Sequence, residues 1–272
     1  MTGIALPGPF WLVGCGNMAG AMLRGWLAGG LAPERFIVTD PAARDLPAGV
    51  RSMPSISQNQ RFDAILLGVK PQLLAAVAPQ VEPVAGPGTT LLSILAGIEL
   101  AVLGGHFPSA GALVRIMPNL SAALGKSPMA LAESGLDERG RAAVVDLLEP
   151  LGTPEWIAEA EFDLVTALAG SGPAFVYRFI DALALAAAEL GLPEDKAKRL
   201  ALATVDGAAA LAAASEHDPG ELARRVASPG GVTLAGLEVL DRGDALRRLL
   251  LATLRAARDR SAEMAAEARG KG

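Results

Sequence analysis

The sequence of 272 residues contains one cysteine, two histidines and one tyrosine. Cys15 alone supports neither an internal disulfide nor a Cys-based zinc site. His106 and His217 lie far apart, beside the turns Phe107-Pro108 and Asp218-Pro219. That disfavours a histidine-rich metal centre and Ser-His-Asp catalysis alike. Aromatic residues make up only 4% of the chain. No basic cluster accompanies Trp11, Trp26 or Trp156, so they read as packing residues and not as base-stacking platforms. Basic charge is also short: 24 Lys and Arg face 29 Asp and Glu, a net charge of −5. Such a chain has no general field for holding nucleic acid. The most apolar stretch, Ala174 to Leu192, carries Arg178, Asp181 and Glu189, which argues against a membrane span. Met1–Phe10 has no basic n-region and reads as no secretory signal. The lone thiol suits a reducing cytoplasm, the expected location.

What the chain has instead is aliphatic residues. Hydrophobic residues make up 51% of it, and 26 of its 53 alanines lie in residues 174–272. Phe10-Trp11-Leu12-Val13 ends at Gly14 and predicts a buried strand; Asn17 to Leu27 has helical spacing and stops at Gly29-Gly30. Further strands are predicted at 36–39, 64–69, 89–95 and 112–117, with a helix over 73–81. Strands alternating with helices imply a mostly parallel, doubly wound sheet. From about residue 160 the pattern changes. Ala/Leu-rich helices are predicted at 174–190, 194–214, 219–226, 232–241 and 244–268, with the last residues frayed. The expected organisation is therefore an α/β domain over 1–160 and an all-α domain over 161–272.

Gly14-Cys15-Gly16-Asn17-Met18-Ala19 has the form G-x-G-x-x-A between a strand and a helix. Gly14 permits the tight turn, Gly16 lets a pyrophosphate approach the backbone, and Ala19 keeps helix and strand close. The helix N-terminus then faces the phosphates, as in a Rossmann domain. The other reading is a glycine-rich turn without a ligand. Asp40 ends the second strand, where a carboxylate accepts hydrogen bonds from the adenosine ribose and repels a 2′-phosphate. That leans towards NADH over NADPH, with Arg44 close enough in sequence to offset it. Asp40 also reads as an Asx cap before Pro41. Cys15 is either a thiol activated at the helix N-terminus or simply a small side chain that the turn requires.

Several segments, in order along almost the whole chain, together resemble the pyrroline-5-carboxylate reductase family. They are Gly14 to Met18, Val69-Lys70-Pro71-Gln72, Ser93 to Ile98, Arg115-Ile116-Met117-Pro118-Asn119 and Gly170-Ser171-Gly172-Pro173-Ala174. The most specific is Val226-Ala227-Ser228-Pro229-Gly230-Gly231-Val232-Thr233, continuing through Gly236-Leu237 to Leu240-Asp241. The resemblance implies a Rossmann domain followed by a helical dimerisation domain, with homodimers that in some members assemble into decamers. It implies hydride transfer from nicotinamide C4 of NADPH or NADH to the imine carbon of Δ1-pyrroline-5-carboxylate, giving L-proline.

The same resemblance assigns roles. Val13, Gly14, Cys15, Gly16, Asn17 and Met18 hold the pyrophosphate. Thr39, Asp40 and Pro41 lie near the adenosine ribose. Val69, Lys70, Pro71, Gln72, Ala96 and Gly97 line the cofactor towards the nicotinamide, and Arg225 contacts it. Ser228, Gly230, Gly231, Val232 and Thr233 hold the substrate carboxylate, a role suited to exposed backbone N–H groups at a helix start. Ser171 contacts nicotinamide or substrate, or else caps the following helix. Thr233 hydrogen-bonds the imine nitrogen and orients the imine or relays a proton to it through water, since a free hydroxyl is itself a poor acid. Glu159 favours the iminium cation or positions a water; the other reading is a solvated surface acid. No metal is implied.

Three departures from the family pattern bear on the cofactor. Leu120-Ser121 replaces Thr-Pro, Gly125-Lys126-Ser127 replaces an acidic or Gln residue followed by Gly, and Ser55 stands where relatives carry Asn, with Asn59 nearby. Two alternatives stand beside the reductase. One is another cyclic-imine or β-hydroxyacid reductase, whose Lys-dependent form the helix after Pro173 does not supply. The other is a nucleotide-sensing dimer without catalysis, which the intact Ser228–Thr233 segment disfavours.

Overall fold

A computed structural model describes residues 8–42, 46–55 and 60–269. Arg44 and Asn59 lie outside the described residues, as do Gly270 to Gly272. Eight strands form one sheet: β1 Phe10–Val13, β2 Phe36–Thr39, β3 Arg51–Ser52, β4 Ala64–Leu67, β5 Thr90–Ser93, β6 Ala112–Met117, β7 Ser127–Ser134 and β8 Gly152–Trp156. Their order is β3-β2-β1-β4-β5-β6-β7-β8. The first six are parallel, in the strand order of a dinucleotide-binding sheet. β7 runs antiparallel to β6, and β8 runs parallel to β7.

The helices are α1 Asn17–Ala28, α2 Leu74–Val81, α3 Leu100–His106, α4 Glu138–Leu148, α5 Phe162–Val165, α6 Gly172–Glu189, α7 Glu194–Ala214, α8 Pro219–Val226, α9 Val232–Asp241 and α10 Ala245–Arg269. The expected helices of the second half are all present, within two residues at each end.

The sheet divides two cores. Phe10, Leu12, Phe36, Val38 and Leu66 face one side with Met22 and Trp26 of α1. Trp11, Val13, Ile37, Ile65 and Leu67 face the other with Leu74 and Val81 of α2. Adjacent residues point to opposite faces, so a central strand is apolar at most positions on both. Each fully buried Leu, Ile, Val or Phe contributes about 1.5–3 kcal/mol. Trp26 stacks on Phe36 at 5.7 Å, and its indole Nε1 donates to Leu147 O at 2.7 Å. Trp11 donates from Nε1 to Thr39 Oγ1 at 3.0 Å. Both tryptophans are core residues, as expected.

The chain forms two compact units, residues 1–171 with 257–272, and residues 172–256. The expected boundary after residue 160 differs from this division by eleven residues. Phe162 packs on Ala130 and Ala132 of β7, which keeps the intervening segment with the sheet. Ser261 Oγ, near the end of α10, lies 2.7 Å from Asp163 Oδ1, which ties the end of that helix to the same unit.

Candidate active site

β1 ends in a turn that only glycine accommodates. Gly14 has φ +86°, and a Cβ there would come within 2.8 Å of the Val69 nitrogen. Gly14 N donates to Thr39 O at 2.9 Å, and Gly68 N donates to Val13 O at 2.8 Å. These bonds hold the ends of β1, β2 and β4 together, so Val13, Gly14, Thr39 and Val69 meet at one edge of the sheet. At Gly16 a Cβ would touch nothing within 4 Å, and no side chain caps the start of α1. The first-turn N–H groups of α1 therefore face open space. That is the cradle a pyrophosphate requires.

Asp40 supports this turn directly. Its Oδ2 accepts from Cys15 N at 2.7 Å, and its Oδ1 accepts from Ala42 N at 2.8 Å. The second bond makes an Asx turn around Pro41, and not the expected helix cap, because no helix follows among the described residues. The first spans 25 residues and locks the glycine loop to the end of β2. Each carboxylate oxygen keeps capacity for another donor. Cys15, Gly16, Asn17, Gly20, Arg24, Asp40, Ala42, Leu46 and Leu120 line a cleft of about 500 Å³. Burial pushes the Cys15 thiol above its ordinary value, Asp40 adds to the rise, and Arg24 opposes it. An activated thiol is therefore replaced by the small-side-chain reading.

Further along the strand ends, Pro71 starts a short 3₁₀ turn and Lys70 and Gln72 are exposed. Ala96 is exposed after β5, and Gly97 has φ +75°. A Cβ on Gly97 would lie 3.4 Å from the backbone of Met264 and Ala265, so the end of α10 packs on this loop.

Glu159 is partly exposed but is not a free surface acid. Its Oε1 accepts from Arg115 Nη1 at 2.8 Å and from Leu100 N at 2.7 Å. Arg115 is 4% exposed, and its guanidinium carbon lies 4.0 Å from the Phe162 ring centroid. Leu100 opens α3, three residues after Gly97. Glu159 thus connects a buried arginine to the helix that follows the Ala96-Gly97 loop.

Sequence reasoning gave Arg115 and Asn119 no role. Asn119 is 4% exposed. Its Nδ2 donates to Ala169 O at 3.0 Å, its Oδ1 accepts from Ser121 N, and its own N–H donates to Ser127 Oγ. Thr166–Gly170 is a π-helical turn, a type found frequently at functional sites. Asn119 satisfies one of its carbonyls. The departure Leu120-Ser121 is absorbed here: it forms the 3₁₀ turn Leu120–Leu124, with Asn119 as its cap. The cap signature, Asn followed two residues later by a backbone partner, is local and was readable.

Ser171 does not cap α6. Its φ of −88° and ψ of −21° are helical, and its N–H donates to Thr166 O at 3.0 Å. An N-cap residue adopts extended geometry instead.

The remaining predicted residues lie in the second unit. Gly230 has φ +69° and Gly231 N donates to Ser228 O at 2.9 Å, closing a tight turn. Gly231 precedes α9, whose start no side chain caps. A Cβ on Gly231 would collide with Ser228 Oγ. Val232 and Thr233 are the first two residues of α9, Val232 exposed and Thr233 half-buried. Arg225 is exposed and donates from Nε to Glu221 Oε1 at 3.1 Å; Arg224 binds the same carboxylate. These two cations hold the Glu221 carboxyl below its ordinary range. Among the described residues no cluster of His, Cys, Asp and Glu is arranged to hold a metal, and no helix is long and apolar enough to cross a membrane.

Comparison with known proteins agrees with this fold. Residues 159–264 match the family model described as pyrroline-5-carboxylate reductase dimerisation, and residues 10–97 match NADP oxidoreductase, coenzyme F420-dependent. Pyrroline-5-carboxylate reductase of Aquifex aeolicus is 37% identical over 85% of this chain and 88% of its own length. That of Pseudomonas aeruginosa is 35% identical over 93% of this chain and 95% of its own. The solved structure of a pyrroline-5-carboxylate reductase from Coxiella burnetii superposes with a TM-score of 0.85 at 28% identity, covering 94% of this chain and 98% of that one. The Plasmodium falciparum pyrroline carboxylate reductase with NADP bound gives 0.82 at 25% identity, covering 95% and 98%. The chain belongs to the pyrroline-5-carboxylate reductase family.

Proposed function

We propose that this chain reduces Δ1-pyrroline-5-carboxylate to L-proline with NAD(P)H, the last step of proline biosynthesis, in the cytoplasm. The observation that carries the reading is the Gly14–Met18 turn, open at Gly16 and locked by Asp40, in a chain 37% identical to a reductase of that name. Bound NAD(P)H supplies the hydride. The protein supplies orientation. First-turn N–H groups of α1 hold the pyrophosphate. Asp40 accepts from the ribose hydroxyls, and Val69 to Gln72 with Ala96 and Gly97 line the nicotinamide end. Arg225 is assigned to the cofactor and Ser171 to nicotinamide or substrate.

In the second unit, the backbone of Gly230, Gly231 and Val232 with Ser228 holds the substrate carboxylate. The Thr233 hydroxyl hydrogen-bonds the ring nitrogen and keeps the imine carbon aligned. Glu159 keeps one oxygen on Arg115 and Leu100 N; its other oxygen is the one available to favour the iminium form or to hold a water. The test is dinucleotide oxidation with pyrroline-5-carboxylate, using NADPH and NADH side by side. Absence of oxidation with both overturns the reading.

Asp40 bears on cofactor choice. Asp40→Ser removes the charge that repels a 2′-phosphate, so the NADPH-to-NADH ratio of kcat/KM rises. It also weakens the bond to Cys15 N, so both values fall together; the ratio is the readout. An unchanged ratio overturns the ribose role.

The second unit also implies a partner of the same kind. Its buried apolar cluster comprises only Ala184, Ala197 and Ala201, with a few half-buried neighbours. Tyr177, Leu200, Leu211 and Leu249 are each more than half exposed. Helices with such small buried side chains approach closely but remove little apolar surface from water. A second copy completes the core in this reading, as a dimer or a multiple of it such as a decamer. Light scattering is expected to give at least twice the chain mass at micromolar concentration; a monomer overturns it.

A further inference from the structure

The cleft beside Asp40 contains a cation to which the reading above gives no role. Arg24 lies on α1 and lines the same cleft as Cys15, Gly16, Gly20 and Asp40. Its guanidinium turns back towards the start of the helix. Nη1 is 3.5 Å from where a Cβ on Gly20 would stand, and the Cys15 carbonyl is 3.7 Å from that point. A methyl at position 20 would stand in ordinary van der Waals contact with the guanidinium, so the arginine lies along the helix surface over Gly20. Arg24 is exposed, and among the described residues it has no hydrogen-bonded or ionic partner. By contrast Arg225, the cation assigned to the cofactor from sequence, is already engaged by Glu221.

An arginine in a ligand cleft with no partner among the described residues is suited to a phosphate, which its planar fork matches in shape and charge. We propose that Arg24 binds the 2′-phosphate of NADPH. The inference rests on the dinucleotide reading above and assigns the choice between the two dinucleotides within it. Asp40 and Arg24 then act as opposed selectors at one ribose. Asp40 takes a free 2′-hydroxyl, and Arg24 compensates its charge when that hydroxyl carries a phosphate. A phosphate monoester holds close to two negative charges at neutral pH, so the compensation favours NADPH specifically. The competing contact for Arg24 is the pyrophosphate, which both dinucleotides share, and the test separates the two.

Calorimetry on the full chain compares adenosine 2′,5′-bisphosphate with adenosine 5′-monophosphate, which differ only in the 2′-phosphate. Arg24→Ala is expected to weaken the bisphosphate about tenfold, the scale of one lost charge-assisted pair. The monophosphate is expected to change less than about twofold, since it lacks the 2′-phosphate that Arg24 would pair with. The NADPH-to-NADH ratio of kcat/KM falls in parallel. Alanine is a better helix former than arginine, so the exposed site tolerates the change, and an unaltered thermal midpoint verifies this. Equal weakening of both nucleotides places Arg24 on the shared phosphates and overturns the proposal, as does no change in either. If both nucleotides and both dinucleotides fail to bind the unaltered chain, the dinucleotide reading itself falls and the proposal with it.

Discussion

Thr233→Ala is expected to lower kcat for pyrroline-5-carboxylate reduction about 10²-fold, the usual scale for loss of one positioned proton-handling group. The dissociation constant of NAD(P)H is expected to change less than about threefold, because the residues assigned to pyrophosphate and ribose belong to the other compact unit. The fold gives this experiment a clear reading. Thr233 is the second residue of α9, and the residue before that helix is Gly231, so no side-chain cap is lost. Alanine also raises helix propensity at this position. A fall in turnover therefore reports the hydroxyl and not unfolding. Thr233→Ser, which keeps the hydroxyl, is expected to restore most of the rate. An unchanged kcat overturns the role. A matching loss of NAD(P)H affinity moves Thr233 from the substrate to the cofactor.

The central strands were legible because burial on both faces leaves them apolar at nearly every position, with Thr39 and Arg115 among the exceptions. Phe10–Val13, Phe36–Thr39 and Ala112–Met117 have the expected bounds. β7 was not legible. Its sequence, Ser-Pro-Met-Ala-Leu-Ala-Glu-Ser, has no β-branched residue and carries a proline. Its strand form comes from pairing with β6, a tertiary effect that local propensity does not encode. α3 was hidden by Gly104-Gly105. α4 was not hidden: Asp137 caps it, and Val144, Leu147 and Leu148 have helical spacing. That signal was present and unused. The glycine turn was legible because steric need fixes Gly14, and its place between a strand and a helix marks the rest of the turn. The long-range bonds of Asp40, Arg115 and Asn119 were not, since those partners lie 25 to 50 residues away. Arg24 was invisible for the same reason, because its significance depends on which loop stands opposite α1.

Arg115→Met is expected to destabilise the first unit by about 2 kcal/mol. That is below the 3–5 kcal/mol typical of a broken buried pair, because Glu159 is partly exposed and water screens it. The side-chain exposures of 5% for Arg115 and 35% for Glu159 set this intermediate case. Methionine keeps much of the volume over the Phe162 ring, so the loss is electrostatic more than steric. For a chain of this size the thermal midpoint falls by about 5 °C. Trp11, Trp26 and Trp156 all belong to the first unit, so tryptophan fluorescence reports its unfolding selectively. Glu159→Gln alone costs less, since the amide oxygen still accepts from Leu100 N. The double variant is expected to lose about 1 kcal/mol less than the sum of the two, because the first change already removes the pair. Strict additivity would show that the 2.8 Å contact carries no coupling. Glu159→Gln also separates anchoring from chemistry. A fall in kcat with the midpoint nearly unchanged assigns its free oxygen to the reaction. A fall that tracks the midpoint across all three variants leaves Glu159 as the residue that fixes α3 behind the Ala96-Gly97 loop.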